Sequence, residues 1–379
     1  MNGCGFIIRA AALAVALLAV QTAAARTASP PPPAFRSAAP GYALQFPRDH
    51  GSHDDFRTEW WYYTGHLTAA DGRRFGYQLT FFRRGVAEAS VRSNPSRWAV
   101  RQLYLAHLAL SDLDGVQFRY AEKISRAGVG KAGAETGRLH VWIDRWSVEM
   151  AASAPQAHHL RAAGDGFSLD LLATPEKPVV VHGDRGVSRK GPERHQASHY
   201  YSLTRLTTTG SVSVDGRRFA VTGSGWMDHE FGSVDLGTDL TGWDWFSVQL
   251  GDRTELMFYL LRRADGTPDP VSSGTWVSAD GKATGLSLAD VTIQALDRWR
   301  SPASRAAYPS RWRMTVPSRD LVLTLTPRLA GQELITDKST HVTYWEGAVE
   351  ATGTRAGVPV SGLGYVELTG YAERFRHKL

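Results

Sequence analysis

Cysteine is almost missing: one residue in 379, Cys4, which stands ahead of an apolar run near the amino terminus. A disulfide framework is therefore excluded from the body of the chain. Runs of basic residues are missing too. Lys and Arg number 43 against 37 Asp and Glu, spread along the chain. This argues against a nucleic-acid groove and leaves only peripheral contact with an anionic membrane surface open. There is no Gly-x-Ser-x-Gly elbow, Walker loop, dinucleotide fingerprint or His-Glu-x-x-His helix, so α/β-hydrolase, nucleotide-binding and zincin chemistry find no support. His195 and His199 have helical spacing, but they sit in what reads as a loop entering a strand at Tyr200. A structural or exposed pair fits them better than a metal site. No metal and no cofactor is expected. Long amphipathic helices are also wanting.

What is present begins with an export signal. Arg9, the apolar stretch from Ala10 to Val20 and Thr22-Ala23-Ala24-Ala25 read as a signal peptide over residues 1–25, cut after Ala25. The apolar stretch is too short to span a bilayer, and an uncleaved anchor is the alternative. Cleavage would remove Cys4, and export without disulfides suits a periplasmic or secreted protein. Residues 26–41 carry Pro30 to Pro33 and read as a linker. The folded body should start near Tyr42.

That body alternates over short spans. Leu139, Val141 and Ile143 oppose His140, Trp142 and Asp144, and Leu321, Leu323 and Leu325 oppose Val322 and Thr324. Asp-Gly pairs at 71–72, 114–115, 215–216, 265–266 and 280–281 punctuate the runs as hairpin turns. The segment Val221 to His229 recurs, degraded, as Val360 to Leu368. Thr209-Gly210 and Thr352-Gly353 lie upstream of the two copies. Trp60 to Tyr63 with a following Arg83-Arg84 parallels Asp244 to Ser247 with a following Arg262-Arg263. The pattern predicts an all-β chain of two tandem antiparallel barrels or sandwiches, 42–229 and 230–379, bordering near Glu230 to Thr241.

Aromatic and acidic residues interleave in the repeated segments. On an extended strand Trp60 and Tyr62 face one way, and Glu59, Trp61 and Tyr63 the other. Asp228 and Glu230 likewise share a face opposite Met227, His229 and Phe231. In Gly242-Trp243-Asp244-Trp245-Phe246 the acid opposes both indoles. A carboxyl group desolvated against tryptophan keeps its proton near neutrality and can act as an acid. Tryptophan faces can steady a cation. Each cluster also has a plain reading, in which one face fills the core and the acids pair with arginines across a domain border.

These motifs resemble the carotenoid 1,2-hydratase and AttH-like family, tandem lipocalin-like proteins. The resemblance rests on Asp49-His50-Gly51, Glu59 to Gly65, Gly76 to Arg83, Trp226 to Gly232, Gly242 to Phe246, Tyr344 to Gly347 and Gly364 to Tyr371, across the chain after the linker. It implies acid-catalysed hydration of a carbon–carbon double bond in an apolar polyene. The exported branch of the family, whose substrates are open, is the nearer match. His229 and Phe231 match the family's His-x-aromatic, whereas the aromatic-x-Asp expected on the next strand is replaced by Leu256 to Leu261, without an acid. The expected catalytic set is Asp228, His229 and Asp244 at the domain junction. Trp60, Trp61, Tyr62, Trp226, Phe231, Trp243, Trp245 and Tyr365 would hold an apolar, lipid- or isoprenoid-like ligand. A non-enzymatic lipid carrier or a surface attachment protein are the alternatives.

Overall fold

A computed structural model describes residues 34–375 except 129, 194, 234–236 and 238. The expected signal peptide, residues 26–33 of the expected linker and part of the anticipated border thus lie outside the described residues.

Strands Thr58–Ala69 (β1), Arg74–Gly85 (β2), Gln102–Asp112 (β3), Gln117–Arg126 (β4), Ala132–Ala134 (β5), His140–Ile143 (β6), Trp146–Ala151 (β7), Ala154–Gly164 (β8), Phe167–Pro175 (β9), Val180–Val181 (β10), Val187–Arg189 (β11), Ala197–Val214 (β12) and Arg217–Gly232 (β13) form a first antiparallel sheet. Leu240–Leu250 (β14), Glu255–Arg263 (β15), Ser273–Val277 (β16), Ala283–Ser287 (β17), Thr292–Arg300 (β18), Ala307–Val316 (β19), Leu321–Pro327 (β20), Glu333–Ile335 (β21), Thr343–Arg355 (β22) and Val358–Leu368 (β23) form a second. The first sheet curls until β4 touches β5 and β6 at its far end, closing around a core that includes Trp61, Tyr63, Phe75, Leu79 and Met227. The second curls less and packs Trp312 and Trp345 inside. Among the described residues no helix is long and apolar enough to cross a membrane.

Strand order establishes the duplication. β4-β3-β2-β1-β13-β12-β9-β8-β7 in the first sheet repeats as β17-β16-β15-β14-β23-β22-β20-β19-β18 in the second. Gly210 pairs with Val221 and Gly353 with Val360, so the two end motifs occupy equivalent strands. Both motifs need glycine for a shared reason. A Cβ on Gly223 would lie 1.9 Å from the His66 carbonyl oxygen, and one on Gly362 2.3 Å from that of Gln249.

At the opening strand the alignment read from sequence is one residue out. Tyr62 pairs with Asp228, and Trp245 with Glu367, the counterpart of Asp228. Tyr62 therefore matches Trp245 and Trp60 matches Trp243, rather than Trp61 matching Trp245. A one-residue slip moves every side chain to the other face of a strand, so this correction matters to the site.

The turns follow local chemistry. Gly72, Gly216, Gly266 and Gly281 take positive φ, whereas at Asp114-Gly115 the next residue, Val116, does so (φ 52°). The alternating run that begins at Leu139 turns back on itself as a tight hairpin: Asp144 turns the chain at φ 53° between β6 and β7. The border anticipated between 229 and 230 falls inside β13, which continues to Gly232.

Candidate functional site

β13 sets the geometry by strict alternation. Met227 enters the core of the first barrel and Phe231 a cluster under the segment before β1, while Trp226 joins a third cluster between the sheets. That third cluster also holds Tyr62, Tyr200, Trp245 and Tyr259. Beside it lies a cavity of about 220 Å³. Trp60, Tyr62, Tyr200 and Asp228 line it from the first sheet, and Trp243, Trp245, Tyr259 and Glu367 from the second. The two end motifs thus deliver equivalent carboxyl groups, Asp228 and Glu367, to one space rich in aromatic side chains, which Arg83, Arg84 and Lys190 also line.

Asp228 is a hydrogen-bond acceptor three times over. Tyr200 Oη donates to Oδ2 at 2.5 Å, Trp226 Nε1 to Oδ1 at 2.6 Å, and Ser202 Oγ also to Oδ1. Trp245 Nε1 in turn donates to Tyr200 Oη at 3.1 Å. Burial pushes the Asp228 carboxyl up to about 7, although these donors pull the other way. Glu367 accepts one bond, from Trp243 Nε1 at 2.9 Å, and burial lifts it to about 7 as well. A third carboxyl, Glu346, pairs with Glu367 across β22 and β23 and accepts from Tyr62 Oη at 2.7 Å. Burial first, then the neighbouring Glu367, raises its pKa well above the usual range. Its Oε2 is buried and has no hydrogen-bond partner among the described residues. None of the three forms an ion pair among the described residues. Each is therefore cheaper to keep protonated than charged.

Glu230, one turn of the pleat beyond Asp228, differs. Lys190 Nζ reaches it at 2.9 Å and sits over the rings of Tyr200 and Tyr259, at 4.9 and 4.3 Å.

Several residues singled out from sequence lie elsewhere. His229 points into the first barrel, because it alternates with Asp228. Its Nε2 lies 2.8 Å from Glu59 and its Nδ1 2.8 Å from Tyr201 Oη. Trp61 packs there too, donating Nε1 to the His50 carbonyl, and Phe231 stacks on His53 at 3.6 Å. Asp244 faces away from the cavity, bonded to Arg262 and accepting from Tyr371 Oη at 2.9 Å. Asp228, His229 and Asp244 are therefore not brought together, since the register puts the latter two on the reverse faces of their strands. Trp226 and Tyr365 are buried in the cluster between the sheets behind the lining. Glu367, Glu346 and Tyr200 were not among the expected site residues. The signal for Glu367 was available, since the repeat aligns it with Asp228.

His53, Glu59 and His229 bring ligand atoms within 4.8 Å of one another, the arrangement of a metal site. Arg83 argues against a cation there. Its Nε already donates to Glu59 Oε2 at 2.9 Å, in a fully buried pair. His199 lies inside β12, buried, with Nδ1 3.2 Å from the Gly186 carbonyl oxygen.

Two curled sheets with one strand order and a shared cavity define a tandem lipocalin-like protein. A family model described as AttH-like matches residues 37–371, and the chain belongs to that family. A solved structure from Nitrosomonas europaea assigned to AttH is 36% identical, covering 89% of this chain and 99% of its own, with TM-score 0.80. Kievitone hydratase from Nectria haematococca shares the fold at 15% identity, over 87% of this chain and 93% of its own, with TM-score 0.67. CghA, solved with Sch210972, does so at 15% identity over 84% and 90%, with TM-score 0.53. No curated protein sequence matches the chain significantly.

Proposed function

We propose that this chain is an exported hydratase that takes part of an apolar, isoprenoid- or lipid-like molecule into the cavity between its sheets. There it adds water across a carbon–carbon double bond. The observation that carries this reading is the pair of duplicated carboxyl groups, Asp228 and Glu367, facing one largely apolar space with no ion pair among the described residues. Asp228 gives its proton to one alkene carbon and becomes a carboxylate. The cation left on the other carbon lies among Trp60, Trp243 and Trp245. Water attacks that carbon, and its surplus proton returns to Asp228 directly or through Glu367. One C–H and one C–O bond form, the double bond is lost, and the carboxyl group ends as it began. Tyr200, Ser202 and Trp226 orient Asp228 and steady its charged form during the step.

The size of the space supports partial enclosure. About 220 Å³ lies under the roughly 300–1,000 Å³ of ordinary small-molecule sites. One end or one ring of a ligand fits within it. The name of one structural neighbour, kievitone hydratase, agrees with hydration as the chemistry.

The test is incubation of the purified protein with a panel of apolar terminal alkenes in heavy water, followed by mass spectrometry. A product heavier by one heavy-water unit, with carbon-bound deuterium, is expected, and Asp228→Asn should abolish it. Alkene that binds without product or deuterium exchange would identify a carrier instead. A search for co-purifying lipids by native mass spectrometry would narrow the ligand class.

A further inference from the structure

The loop that joins two cavity-lining strands carries a surface the hydration chemistry does not use. Residues 86–101 connect β2, which brings Phe82 and Arg84 to the cavity, with β3, which brings Leu105. The base of the loop is pinned by Val86 N donating to the Arg101 carbonyl at 2.9 Å. At its outer end stands Trp98, 63% exposed. The indole is held out rather than loose. Arg126 Nη1 donates to the Trp98 carbonyl oxygen at 2.9 Å, and the Arg126 guanidinium lies 5.5 Å from its ring. Ile124, 44% exposed, stands two residues before Arg126, on the same face of β4. Arg92, Arg97 and Arg101 in the loop are all exposed, and Glu88 is its one acid.

We infer that this loop docks the protein on an anionic phospholipid bilayer. An amphipathic ring at the headgroup level with guanidiniums beside it is the composition that bilayer interfaces select. A second copy of the chain would bring like charge against like charge. A protein partner would need more contiguous apolar area than one indole and one isoleucine supply. A bilayer needs neither a groove nor a large flat face. It is also where an apolar molecule bound for the adjacent strands would be dissolved. The surface is argued from its own residues and does not depend on turnover.

Co-sedimentation of the purified protein with phosphatidylglycerol vesicles tests it, with phosphatidylcholine vesicles alongside. Binding to the first, much weaker binding to the second, and loss at high salt are expected. Replacing Arg92, Arg97 and Arg101 by Gln should weaken binding about fivefold for each charge. Trp98→Ala should weaken it about tenfold and abolish the blue shift of its fluorescence on binding. Both variants should keep the melting temperature and still hydrate an alkene presented in detergent. Asp228→Asn should bind vesicles like the parent, so failure of the hydratase reading leaves this result standing. Equal binding to both vesicles, no binding, unchanged binding by the variants, or full competition by soluble glycerol phosphate would each overturn the proposal.

Discussion

Buried carboxyl groups lie to either side of the paired strands β1 and β13, Glu59 on the barrel side and Asp228, with Glu346 and Glu367 of the second sheet, on the cavity side, and their surroundings are opposite as well. On the barrel face Glu59 meets Arg83 at 2.9 Å, His53 at 2.7 Å and His229 at 2.8 Å. Burial opposes its charge, but Arg83 and His53, with the bond from His229, hold the carboxyl well below the usual range. On the cavity face Asp228, Glu346 and Glu367 have tyrosine, serine and indole donors and no ion pair among the described residues. Their pKa values rise instead. Burial alone therefore does not mark a functional acid. A carboxylate saturated by cations is a brace. A carboxyl group left neutral in an aromatic cavity has a proton to give.

The contrast can be broken by exchange at either face. The largest effect should follow at the cavity: Asp228→Asn should lower turnover about 10²- to 10⁴-fold while an apolar ligand still binds, read by product formation and fluorescence quenching. If turnover survives and melting temperature falls instead, Asp228 is a brace like Glu59. At the barrel face, Glu59→Gln should cost about 3–5 kcal/mol in denaturant unfolding, because Arg83 loses its buried partner.

Proton uptake sharpens the comparison further. The folded protein keeps protons on Asp228 and Glu367 that the unfolded chain gives up in the ordinary carboxylate range. Their contribution to stability should thus fall as pH rises toward about 7, at about 1.4 kcal/mol per pH unit for each group, and level off above. Glu59, depressed, acts in the opposite sense: its contribution is present above the usual range and is lost as pH falls through its folded value. Glu367→Gln should flatten the decline between pH 5 and 7, checked by melting temperature across that window. Turnover should hold below about pH 7 and fall above it as Asp228 loses its proton.

The smallest effect is expected from Trp243→Phe. It removes the Trp243 Nε1 donor to Glu367, so that carboxyl should titrate about one pH unit higher, measurable by carbon NMR of labelled glutamate.

Local pattern carried much of the fold. Period-two alternation, Asp-Gly turns and the repeated Gly-x-Gly segments together specify antiparallel strands in a duplicated all-β chain, because turn conformation and strand facing depend on near neighbours. The alternation also separated Asp228 from His229. It could not say which face met the cavity, and it could not see the slip that matches Trp60 to Trp243. Both depend on hydrogen-bond register between strands far apart in sequence, such as β1 and β13, where Tyr62 pairs with Asp228. Asp244 and Asp228 look alike in sequence, each an acid among tryptophans. Only the packing decided that Arg262 would pair with the first and that the second would have no ion pair among the described residues, since a carboxyl group's pKa is set by what surrounds it in space. Glu346 was invisible for the same reason: its partner, Tyr62, lies 284 residues away.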